Sequence, residues 1–99
     1  MTVTLMWEAR AAEGRGGALL AWALERGLPA LTASAAGLER AEVFTAAEDR
    51  VLVITWWSAA PEAVTEPERR TLPELPDPPQ ELLARAPHRW RFHRVESFP

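Results

Sequence analysis

Hydrophobic and polar positions alternate strictly from Thr2 to Arg10, with Val3, Leu5, Trp7 and Ala9 on one side and Thr2, Thr4, Met6 and Glu8 on the other. That period of two predicts a strand with one apolar face. From Gly16 to Arg26 the period changes to that of a helix, with Leu20, Ala23 and Leu24 on one stripe. Gly27 fits the left-handed position after a helix end, and Pro29 cannot donate a backbone hydrogen bond. The helix then either ends at Gly27 and restarts with Pro29 in its first turn or continues with a kink, and a broken helix reaching about Ala33 is the favoured expectation. Gly37 starts the return, and two further strands, Leu38 to Thr45 and Val51 to Ser58, flank a turn at Glu48-Asp49.

The second strand of this hairpin is apolar on both sides, with Val51, Val53, Thr55 and Trp57 on one face and Leu52, Ile54 and Trp56 on the other. Both faces need cover. Helices of the same subunit can supply one layer, and the sheet of a second copy is the most economical source of the other, so a homodimer is expected. Beyond Pro61 the chain becomes rich in proline and acids up to Pro79, which predicts loop or polyproline with at most a helical turn starting at Pro61. Asp77-Pro78-Pro79-Gln80 has the form of a helix start, an Asp cap with Gln three residues on, and predicts a short helix to about Arg85. His88 to Glu96 alternates again, placing Trp90 and Phe92 on one face and Arg89, Arg91, His93 and Val95 on the other. The order is βαββαβ, an α+β ferredoxin-like unit with an antiparallel sheet in one domain over residues 1–99.

Composition narrows the function. The chain has 99 residues, 14 acidic against 11 basic groups and a net charge of −3, which opposes nonspecific attraction to phosphate backbones or anionic lipid. The strands also lack the basic surface with stacking aromatics that RNA-recognition domains of the same order require, so no nucleic-acid partner is expected. With no cysteine, thiol catalysis, thiolate metal sites and iron–sulfur clusters fall away. The N-terminus has no signal-peptide pattern and no run approaches the roughly 18 apolar residues of a membrane span, so a cytoplasmic protein away from membranes is expected.

Several short patterns occur in a fixed order: Gly14 ahead of the helix, Gly37-Leu38 with Phe44 six positions after Leu38, the acidic turn Glu48-Asp49-Arg50, and Trp56-Trp57-Ser58 at a strand end. Over residues 2–60 this order resembles the antibiotic-biosynthesis monooxygenase family. The resemblance implies a dimeric α/β barrel made from two ferredoxin-like subunits, with a pocket between each sheet and its own helices. It also implies cofactor-independent oxygenation of an aromatic substrate, with no metal or flavin; the alternative, for which the departures from the family pattern speak, is a non-catalytic dimeric binding or accessory module. The absence of any Asn speaks against the haem-degrading branch of that family. The proline-rich stretch replaces the family's second helix, and no His lies near it.

Candidate site residues follow from side-chain chemistry. Five tryptophans in so short a chain supply flat walls for a planar ligand. Trp56, at the strand-end motif, and Trp7 are the candidates for ligand binding, against the alternative that tryptophans simply fill the core. His88 and His93 are the only side chains with an ordinary pKa suited to proton transfer near neutrality. Five residues apart on one strand, they face opposite ways and make no local metal pair. His93 is the candidate base and Arg91 the candidate holder of a phenolate or other anion. Residues 85–94 carry four arginines and no acid, so this basic strand is expected to dock the acidic segment before it.

Overall fold

The computed structural model describes residues 2–34, 37–58 and 74–99. Four strands, β1 (Thr2–Arg10), β2 (Leu38–Ala46), β3 (Arg50–Ser58) and β4 (His88–His93), form one antiparallel sheet in the order β2-β3-β1-β4. This order, with the first two strands in sequence separated by a third, is compatible with a ferredoxin-like fold. The β1 alternation is realised as drawn from the sequence: Val3, Leu5, Trp7 and Ala9 are buried while their neighbours are not. On β3, Val51, Val53, Thr55 and Trp57 are buried and Leu52, Ile54 and Trp56 are only half-buried.

The helical segment differs from the expectation of a break at Gly27. α1 (Gly16–Trp22) passes through a π-helical turn (Ala23–Gly27) directly into α2 (Leu28–Ser34). The Leu28 N–H donates to the Ala23 carbonyl five residues back, so the wide turn lies just ahead of Pro29, which has no N–H to give. Gly27 is buried within the helix and is not among the left-handed glycines, which are Gly14 and Gly37. The buried stripe is Leu19, Ala23, Gly27 and Leu31; of the expected Leu20, Ala23 and Leu24, Ala23 is buried and Leu20 is partly buried against the core, while Leu24 is exposed. A spacing of four drifts around an ideal helix of 3.6 residues per turn, and one widened turn holds the stripe toward the sheet. These residues pack with the inward faces of β1 and β3, with Trp57, and with Leu75 from the segment leading to β4.

Two turns set the register. The β2–β3 hairpin reverses at Glu48 and Asp49, both left-handed with φ of 66° and 57°. This tucks Asp49 against the first residue of α1, where a Cβ on Gly16 would lie 2.5 Å from its carboxylate. A carboxylate there complements the positive end of the helix. At the other end of the hairpin, Gly37 has φ +90° and its carbonyl accepts the Ser58 N–H at 2.9 Å, beside a bulge between Leu38 and Arg40.

The return to β4 also departs from expectation. Only a 3-10 turn, Gln80–Leu82, forms where a helix to Arg85 was expected, and it has no side-chain cap. Pro79 is extended, with φ −54° and ψ 134°, and the Asp77 carboxylate is engaged by Arg89 rather than by the turn's own N–H groups. Residues 82–84 instead run alongside the end of β1, through Ala12 N–H to the Leu82 carbonyl and Ala84 N–H to the Arg10 carbonyl. β4 ends at His93, three residues short of the expected Glu96. The expected helical turn at Pro61 lies outside the described residues.

Candidate functional site

The register of β4 on β1 decides which side chains meet. Arg89 pairs with Trp7, Arg91 with Leu5 and His93 with Val3, so all three stand on the helix-facing side. Trp90 and Phe92 pair with Met6 and Thr4 on the other side, as the alternation predicted. On that open side they join Phe44, Leu52, Ile54 and Trp56, whose Thr4, Met6 and Glu8 neighbours come from β1. Phe44, Trp90 and Phe92 are exposed. Arg40 sets its guanidinium 4.2 Å from the Trp56 ring centroid, a cation–π contact, and pairs with Glu42 at 2.7 Å.

On the helix-facing side a small cavity lies between sheet and helix, lined by Leu5, Trp7, Leu31, Thr55, Leu75 and Arg89 among others. Its free space is about 20 Å³, room for one water-sized body. Trp7 is 5% exposed, and its indole N–H has no hydrogen-bond acceptor among the described residues. Burying such a donor unpaired costs about 1–3 kcal/mol, which makes it the least satisfied polar group of this core. Trp57 is its contrast, since the Trp57 Nε1–H donates to Thr55 Oγ1 at 2.8 Å and both residues are buried. The Thr55 hydroxyl accepts that bond and keeps its own proton to donate at the cavity wall. Trp22 backs Trp7, with ring centroids 6.1 Å apart and a 31° tilt.

Arg89 closes the cavity on the side of the chain leading to β4. One nitrogen, Nη1, donates to the Leu75 carbonyl at 3.1 Å and to Glu74 at 3.3 Å, and Nη2 donates to Asp77 at 2.5 Å. This is the docking of acidic segment on basic strand expected from the charge runs, made within one chain. Arg85 takes a different partner, binding both carboxylate oxygens of Glu8 at 2.5 and 3.0 Å. With Arg89 holding the backbone, Leu75 is buried against the helix at Gly27, where a Cβ would meet Trp22 at 3.0 Å and Leu75 at 3.5 Å. Gly27 is thus a close-approach residue.

The four residues singled out from the sequence separate. Trp7 lines the cavity; Trp56 stands on the opposite side of the sheet, and the two cannot face one ligand in a single chain. Arg91 and His93 share the face of Trp7 but not the cavity lining, and His93 is exposed. Arg89, one rung nearer Trp7's level than Arg91, is the cation that sequence alone passed over. Its signal was present in the expected docking of acids on this strand, but the rung was set by register. Among the described residues no cluster of three or more His, Cys, Asp or Glu side chains forms that could hold a metal ion, and no helix is long and apolar enough to cross a membrane.

Fold and cavity together define an α+β protein with a four-stranded antiparallel sheet, helix-covered on one face. Rv0793 from Mycobacterium tuberculosis, a solved structure, is similar to it with a TM-score of 0.64, 13% sequence identity and 98% of each chain covered. At that identity the likeness shows a shared fold. No family model matches the chain, and no curated protein matches it at a significant level.

Proposed function

We propose that this protein is a homodimeric binder of small, largely aromatic molecules, each subunit holding its guest between sheet and helix while the open sheet faces pair. The observation that carries the proposal is Trp7, which lines the cavity with a buried indole N–H that has no acceptor among the described residues and is backed by the Trp22 ring. A donor fixed there is satisfied by a guest's oxygen, and the Trp7 indole, held from behind by Trp22, provides the flat surface that a ring prefers. Pairing through the open faces is supported by Phe44, Ile54, Trp56, Trp90 and Phe92, which leave that layer apolar and uncovered in one chain.

Cofactor-independent oxygenation of such a guest, which the family resemblance implies, would need a base beside it. Among the described residues the cavity lining has no histidine and one carboxylate, Glu74, which is bound to Arg89, and this favours binding over catalysis. Native mass spectrometry of the freshly purified protein tests both halves: a dimer with a retained small-molecule mass is expected. Ile54→Glu should then yield monomer, weakening association at least about 100-fold, or about 2.7 kcal/mol. A wild-type monomer would refute the pairing.

A further inference from the structure

Resting on that proposal, we infer that the guest carries a carboxylate, and that Glu74, Leu75 and Asp77 occupy the site in its place in the unliganded chain. The free space beside Trp7 admits a water-sized body and no ring. Leu75, an apolar side chain on the cavity wall, fills the adjoining volume against Gly27 and Trp22. Its flanking acids supply two carboxylates to one guanidinium, Glu74 at 3.3 Å and Asp77 at 2.5 Å, although a single carboxylate already neutralises the charge of an Arg.

Both acids are substantially exposed, and Arg89 is the less exposed partner in each pair. Exposed pairs hold weakly, so the acids can be exchanged at small cost. When the segment lifts, Arg89 loses Glu74, the Leu75 carbonyl and Asp77 at once and remains at the rim of an apolar cavity as a cation in need of a partner. An incoming carboxylate restores that charge pairing, and its apolar body takes the volume of Leu75. The remaining donors, Trp7 N–H and the Thr55 hydroxyl, have nothing to accept from an anion and everything to give, so the site selects acceptors throughout.

Isothermal titration of the full-length protein with 1-naphthoate and with its neutral counterpart 1-naphthamide tests this. Glu74→Gln combined with Asp77→Asn should bind naphthoate at least tenfold more tightly than wild type, with naphthamide changing less than threefold. Adding Arg89→Met should abolish the gain. Equal gains for both probes, or none for naphthoate, would overturn the inference. Leu75→Ala examines the underlying cavity separately: if it unfolds cooperatively yet binds neither probe, the binding proposal itself fails; if it binds naphthamide while the charge variants show no preference, only the carboxylate assignment fails.

Discussion

The two faces of this sheet are built from the same strands and differ in nearly everything else. On the helix side, Val3, Leu5, Val51, Val53 and Trp57 are buried with Leu19 and Leu31. On the open side, Leu52, Ile54 and Trp56 are half-buried beside exposed Phe44, Trp90 and Phe92. Trp56 and Trp57 are adjacent in sequence, yet one is covered by an Arg40 guanidinium and the other is completely buried with its N–H on Thr55. The comparison teaches that a strand apolar on both sides is satisfied one face at a time. The first face is closed by the chain's own helix, and the second keeps Phe44, Trp90 and Phe92 exposed.

Substitutions that treat the two faces alike should give unlike results. Trp57→Ala empties the most completely buried ring and should cost about 3–5 kcal/mol in urea unfolding, at every protein concentration. Thr55→Val keeps the shape but leaves the Trp57 N–H buried without its acceptor, a loss of about 1–3 kcal/mol. Trp56→Ala should cost less than Trp57→Ala in dilute protein, with the deficit growing as concentration rises, because in the proposed dimer the mutation removes contacts between subunits as well. Equal, concentration-independent losses for the two tryptophans would break the distinction. The smallest effect belongs to Glu42→Ala, which removes an exposed partner of Arg40 and should change stability by no more than about 1 kcal/mol.

Where burial alternates with a strict period, the sequence was a sufficient guide. β1 was drawn with its observed bounds, and the hairpin and its turn lie within a residue of expectation, because apolar alternation and the Glu48-Asp49 turn are local properties. Gly27 shows the limit of local signals. Its neighbours Leu28 and Pro29 suggested a helix end, but the position is governed by the approach of Trp22 and Leu75, and Leu75 is 48 residues further on in the numbering. Asp77 failed as a helix cap for the same kind of reason, since Arg89 claims its carboxylate across the loop.

The site was half legible. Trp7 followed from aromatic content and position, and an arginine on β4 followed from the charge run. Which arginine depended on the rung that β4 takes on β1, with Arg89 at Trp7 and Arg91 at Leu5, and no composition or periodicity encodes that offset. Trp56 lies apart from Trp7, since its face is set by parity along β3, which places it on the other side of the sheet.

The tilted pair of Trp7 and Trp22, 6.1 Å between ring centroids, has an optical consequence. Two indole transition dipoles held that close at a fixed angle couple into a split circular-dichroism band, whose sign follows their handedness and whose size changes as either ring turns. A body entering the cavity beside Trp7 must disturb that geometry. The chain therefore carries an unlabelled spectroscopic gauge of its own occupancy, readable in the intact protein and independent of the mass of whatever is bound.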